Sequence, residues 1–178
     1  MLKELELNKS DLLYLKECCL RRNILFLVTP FDEGSVDDLQ KIGVDFYKIA
    51  STDLTNPFML KKVALTGKPL ILSTGMSSFR EVEKAVEIVR KLNPDLILLQ
   101  CTGSYPTQDN DCNLLVLSEY QKKFNVLTGF SDHTPGIGAA PYSIPLGASV
   151  IEKHFTQDKS LPGPDHSSSL SPDELVGL

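Results

Sequence analysis

Two histidines carry the strongest chemical signal in this chain of 178 residues: His133 in GFSDHT (129–134) and His154 in VIEKHFT, 21 positions later, with LPGPDH (161–166) following. Each falls at the end of a strand-like run and beside a charged residue, Asp132 and Lys153 respectively. Imidazole is the commonest side-chain metal ligand, so two of them at successive strand ends point to a metal site. The same pair could instead be hydrogen-bonded rim histidines with a structural role.

The elements that must position these residues alternate along the chain. A helix is expected at about 11–22, then a strand ILFLVTPF at 24–31, and Ser35 with Asp38 forms a capping-box pattern for a helix ending near Gly43. DFYKIAS reads as the second strand, and Asn56 with Pro57 as N-cap and first turn of a helix closed by Gly67. PLILST is the third strand. Ser78 with Glu81 opens a helix whose Val82, Ala85, Val86 and Val89 share a face, ended by Asn93 and Pro94. DLILLQCT, a helix at 113–124, VLTGFS, a shorter helix at 137–146 and SVIEKHF complete six strand-and-helix units. Pro141 and Pro145 should leave the last of these helices short or bent, since an interior proline costs about 3 kcal/mol.

Strands without clean alternation, separated by helices, should be parallel and joined by right-handed crossovers. Thr29, Lys48 with Ser51, Ser73, Thr102, Ser131 with His133, and His154 all fall at strand C-terminal ends. An open doubly wound sheet gathers its ligand at one switch point, whereas a barrel draws groups from every strand onto one rim. The expected fold is therefore an α/β, parallel (β/α) TIM barrel. It is incomplete, because a full barrel needs eight strands and about 250 residues, and the sequence ends at DELVGL inside a helical pattern.

Composition bounds the partners. Lys and Arg number 18 against 23 Asp and Glu, a net charge of −5, which excludes a general nucleic-acid or anionic-membrane surface. No apolar run approaches the ~18 residues of a membrane span, and MLKELELNKSD is too polar for a signal peptide. The four cysteines show neither zinc-type nor disulfide-framework spacing, so a reducing cytoplasm is expected.

The segments TPFDEGSVDDL, YKIASTDLTN, KPLILSTGM, LLQCTGSYPT, GFSDHTPGIG and VIEKHFTQDKSLPGPDHSSSLSPDEL resemble, in order, those of the sialic acid synthase family. That family includes N-acetylneuraminate, legionaminate and pseudaminate synthases and spore-coat polysaccharide proteins. The resemblance implies that 1–178 is a partial barrel holding the last six of eight units. The barrel's first two strands and the C-terminal antifreeze-like (SAF) domain would be absent. It also implies a cytoplasmic enzyme, a transferase condensing phosphoenolpyruvate with an N-acylated hexosamine such as N-acetylmannosamine to a nine-carbon 2-keto acid and phosphate.

By the same resemblance, His133 and His154 ligate a divalent metal, manganese first with magnesium or cobalt as alternatives. Such an ion would polarise the aldehyde oxygen while its remaining positions are filled by substrate oxygens and water. Thr29, Lys48, Ser51, Ser73 and Ser131 would hold phosphoenolpyruvate, one cation with several hydroxyls meeting its charge without burying an uncompensated cation. Asp53, where members carry Glu or Asp, would help to activate the water that attacks C2, although its side chain is the shorter of the two, and it would otherwise be a loop acid capping the next segment. Asp165 and Tyr105 would line the sugar pocket, their bland alternatives being a turn aspartate and a packed tyrosine. Gly103 stands where members carry Ser or Asn, removing one phosphate-contacting side chain. Lys153 should point away from the ligand face.

Dimerisation is a further implication. Two other readings stand beside the enzyme: a catalytically inactive remnant, self-associating or partner-bound through its open strand edges, and a different phosphoenolpyruvate-dependent 3-deoxy sugar acid synthase, against which the SDHT and KHFT histidines speak.

Overall fold

Cap chemistry puts the helices where they are. The computed structural model of the protein describes residues 6–178. Helix α1 (Lys9–Arg21) starts at Asn8, whose side chain accepts from Ser10 and Asp11 backbone N–H groups while Asp11 reaches back to the Asn8 N–H. Helix α2 (Glu33–Ile42) is capped by Asp32 rather than Ser35. The Asp32 carboxylate accepts from the Ser35 N–H and hydroxyl at 2.8 and 2.5 Å, so the carboxylate, the stronger acceptor, takes the N-cap position. Asn56 and Pro57 open α3 (Pro57–Ala64), and Ser78 with Glu81 opens α4 (Phe79–Arg90), both as the sequence anticipates. Each such cap is worth about 1 kcal/mol.

Strands β1 (Leu27–Val28), β2 (Phe46–Ile49), β3 (Leu70–Ser73), β4 (Leu96–Cys101), β5 (Leu127–Asp132) and β6 (Ala148–Lys153) form one parallel sheet in chain order. The first is much shorter than the apolar run at 24–31 suggests: Ile24, Leu25 and Leu27 are exposed. Helix α5 (Val116–Phe124) begins later than the pattern at 113 because Asn113 adopts a left-handed φ of 51°. As the prolines require, the segment before β6 is only α6 (Ala140–Ser143) continued by a 3₁₀ turn over Ile144–Leu146. The last helix is α7 (Pro172–Gly177).

Alternation sorts the side chains into two layers. Tyr47 and Ile49 of β2, Leu70 and Leu72 of β3, and Leu96 and Leu98 of β4 pack outward with Val36 and Leu39 of α2, Leu60 and Val63 of α3, and Val82, Ala85, Val86 and Val89 of α4. Full burial of each large member contributes about 1.5–3 kcal/mol. The opposite face carries Lys48, Ser73, Cys101, Ser131 and Glu152.

That second face is concave. On a flat sheet β2 and β6 would lie about 19 Å apart, four spacings of ~4.8 Å. Lys48 Nζ and Glu152 Oε2 nevertheless approach to 3.5 Å. The six strands therefore curl into a partial barrel with these side chains inside.

Candidate active site at the strand ends

The inward residues line a cavity of about 590 Å³ at the C-terminal ends of the strands. Its polar wall holds Lys48, Ser51, Ser73, Ser131, His133, Glu152 and His154, with Cys101 among them, while Phe31, Met76 and Tyr105 are exposed apolar walls. Five strand-end positions read from the sequence (Lys48, Ser73, Ser131, His133 and His154), with Ser51 of the turn after β2, are thus brought together.

Lys48 is 5% exposed, and its ammonium donates to the Ile49 carbonyl at 3.2 Å and faces Glu152. Ser131 donates to Glu152 Oε1 at 2.7 Å. Ser51 accepts from the Gly75 N–H at 2.9 Å, which ties the turn after β2 to the loop after β3. The Ser73 hydroxyl is buried and has no hydrogen-bond partner among the described residues. Such orphans are rare in folded proteins, and this one lines the cavity, where a ligand oxygen could satisfy it. Burial pushes the Cys101 thiol above its ordinary value, so it stays protonated and contributes bulk rather than a nucleophile.

The imidazoles are held by backbone and by each other. His133 Nδ1 lies 2.8 Å from the Thr102 carbonyl, which can only accept, so Nδ1 carries the proton and Nε2 keeps its lone pair. Burial holds the His133 pKa below its usual value, outweighing the Thr102 bond. Tyr105 stacks on His133 with centroids 3.9 Å apart and meets His154 edge-on at 5.3 Å. Its phenol is pushed up to about 12, chiefly by burial.

Ring centroids of His133 and His154 are 5.7 Å apart. That separation is within reach of two imidazoles on one ion, whose nitrogen bonds are about 2.0–2.2 Å long. The fixed tautomer of His133 is the arrangement a ligand histidine needs. Among the described residues, no group of three or more His, Cys, Asp and Glu could hold a metal ion.

Two of the remaining candidates, Thr29 and Asp53, lie apart from this cavity. Thr29 lines a different cavity, between α1 and α2 beside Val28 and Asp32. Asp53 closes the 3₁₀ turn over Ser51–Asp53 and accepts from Asn56 Nδ2 at 3.3 Å, outside the cavity wall. Asp165 stands 3.8 Å from His154 Nδ1, beside the imidazole pair. Lys153 turns to Asp132 and the Thr134 carbonyl, as alternation requires.

Sequence reasoning passed over Glu152. Its signal was there: two positions before His154 on a strand, it shares that residue's face. Met76 was missed as well. It adopts a left-handed φ of 59°, and its side chain lies so close over Gly103 that a Cβ there would meet Cγ at 2.6 Å. The space a Ser or Asn would need at position 103 is thus occupied.

Among the described residues, no helix is long and apolar enough to cross a membrane. The profile of the NeuB family matches residues 1–178. The N,N'-diacetyllegionaminic acid synthase of Campylobacter jejuni is 43% identical over 178 residues, covering 98% of this chain and 52% of that protein. The N-acetylneuraminate-9-phosphate synthase of Mus musculus is 40% identical over 177 residues, 99% of this chain and 49% of that protein. The chain thus spans about half the length of the curated relatives it matches.

A crystal structure of N-acetylneuraminic acid (sialic acid) synthetase from Leptospira borgpetersenii, in complex with citrate, superposes with a TM-score of 0.95 at 41% identity, covering 98% of this chain and 61% of that one. A truncated 3-deoxy-D-arabino-heptulosonate 7-phosphate synthase from Thermotoga maritima shares the fold, with a TM-score of 0.83 at 20% identity over 93% of this chain and 67% of that one.

Proposed function

Because the chain belongs to the NeuB family, we propose that its cavity is the strand-end portion of a cytoplasmic transferase that condenses phosphoenolpyruvate with an N-acylated hexosamine, giving a nine-carbon 2-keto sugar acid and phosphate. The observation that carries this reading is the convergence, in one cavity, of a buried ammonium, an unpartnered buried hydroxyl and two imidazoles. Phosphoenolpyruvate needs a cation and convergent donors for its phosphate and carboxylate. Lys48, Ser51, Ser73 and Ser131 supply them from this cavity, whereas Thr29 lines the neighbouring one and is not counted among the donors. Tyr105 and Asp165 face the acceptor sugar beside the imidazoles.

His133 and His154 would hold a divalent metal, manganese before magnesium or cobalt. When bound, the ion supplies Lewis acidity at the acceptor's aldehyde oxygen. The chain's own residues do the rest. Lys48 and the serines fix the enol face of phosphoenolpyruvate so that its C3 is presented to the aldehyde carbon, a gain of orientation rather than of bond polarisation. Tyr105 and Met76 limit water around the reacting carbons. Water adds to C2 and phosphate then leaves; Asp53, outside the cavity wall and bonded to Asn56, is not assigned this step.

In this reading residues 1–178 correspond to the last six of eight β/α units. The relatives' remaining length would hold the first two strands and an antifreeze-like domain, and the working form would be a homodimer.

Isothermal titration of the chain with manganese tests the site, with phosphoenolpyruvate present and absent, beside a His133→Ala, His154→Ala variant. Binding that is strengthened by phosphoenolpyruvate and lost in the variant supports the reading. Identical titrations for the two proteins refute the metal assignment.

A further inference from the structure

Glu152 presents a carboxylate where the proposed ligand is an anion. Its Oε1 accepts the Ser131 hydroxyl at 2.7 Å and its Oε2 faces the Lys48 ammonium at 3.5 Å, so it engages two of the groups assigned to phosphoenolpyruvate. Among the described residues no other carboxylate lies within ion-pair distance of Lys48, whose side chain is only 6% exposed. A cation buried to that degree needs a counter-charge, and this one comes from the opposite side of the curled sheet. The Glu152 side chain is itself 39% exposed and borders the cavity. An anion entering to reach Lys48 must therefore share the ammonium with a carboxylate a few ångströms away, and like charges at that distance repel appreciably at a partly buried site.

Resting on the reading of this cavity as an anion site, we propose that Glu152 is a positioning residue acting as a built-in counter-anion. It holds Lys48 and Ser131 in place and competes with the ligand for both, setting anion affinity below what the lysine and hydroxyls alone would give. The role suits a site that must release phosphate after each turnover, since a cavity carrying the full charge of Lys48 would retain its product.

The test is calorimetric titration of the 178-residue chain with inorganic phosphate and with phosphoenolpyruvate, comparing wild type with Glu152→Gln. Glutamine keeps an oxygen for Ser131 and removes the charge. The variant should bind phosphate on the order of tenfold more tightly, and its affinity should fall more steeply with added salt. Its melting temperature without phosphate should drop, and the rise on adding phosphate should exceed that of wild type. Glu152→Met, also neutral but unable to accept from Ser131, provides the same comparison should the glutamine variant not fold. A purely structural Glu152 would lower both stability and affinity. Wild type that binds phosphate while both neutral variants bind it no more tightly overturns the proposal. Absence of binding in all three proteins overturns the anion-site reading and this inference with it.

Discussion

The carboxylate of Asp132 and the ammonium of Lys153 lie 2.9 Å apart at paired positions of β5 and β6, their side chains 0% and 5% exposed, each one residue before a histidine of the cavity. Asp132 also accepts from the Thr134 and Ala140 N–H groups, and Lys153 donates to the Thr134 carbonyl. The outward-facing pair thus anchors the loop that carries His133 while fixing the strand that carries His154.

Lys153→Met should destabilise the protein by about 3–5 kcal/mol, because it leaves a buried carboxylate without its cation. Urea denaturation measures this. Metal affinity should fall in the same variant although the residue touches no ligand position, since misplaced imidazoles lose affinity through geometry.

Ser73→Ala should separate binding from stability. The hydroxyl has no partner among the described residues, so removing it relieves a desolvation cost and the melting temperature should hold or rise. Phosphoenolpyruvate affinity should drop up to roughly tenfold, the loss of one hydrogen bond worth about 1 kcal/mol. A stability loss of several kcal/mol would show that the hydroxyl is already satisfied.

Gly129→Ala should cost about 1–3 kcal/mol by overpacking. A Cβ there would meet the Val150 carbonyl at 2.4 Å and Leu99 Cδ2 at 2.6 Å, both between strands that cannot separate without breaking the ladder. Thermal melts of the variant read this directly.

Acid should weaken the helix caps first. Asp32 and Glu81 are held below their ordinary values of 3.8 and 4.5 by hydrogen bonds from Ser35 and Ser78 respectively. A carboxylate whose folded pKa is lowered contributes its full stability above the unfolded value and loses it as pH falls through the folded one. Melting temperature should therefore decline below about pH 4.5, and the decline should be shallower in a Ser35→Ala, Ser78→Ala double variant.

Much of the fold was legible because its signals are local. Capping residues fix Asn56 and Ser78 as helix starts, the apolar face of α4 is the buried one, and the prolines shorten α6. The strand ends then point to Lys48, Ser73, Ser131, His133 and His154, all on one concave face. What stayed hidden depends on distance in space. Nothing around position 48 announces that its counter-ion stands at position 152, because only the curvature of the sheet joins them. Asp32 took the cap from Ser35 through a competition between two plausible acceptors three residues apart. Thr29 shares the strand-end pattern yet lines another cavity, since β1 is too short to carry the barrel's alternation that far.

The strand order β1 to β6 follows the chain without insertion, which bears on how the molecule is made. Each strand docks on the one synthesised just before it, so the sheet can grow at a single edge as the polypeptide emerges, with loop-closure costs confined to one β/α unit at a time. Lys48 is laid down early in that sequence and its counter-charge arrives only with the sixth strand. Until then the ammonium must stay hydrated, which keeps the nascent concave face open to water until β6 arrives.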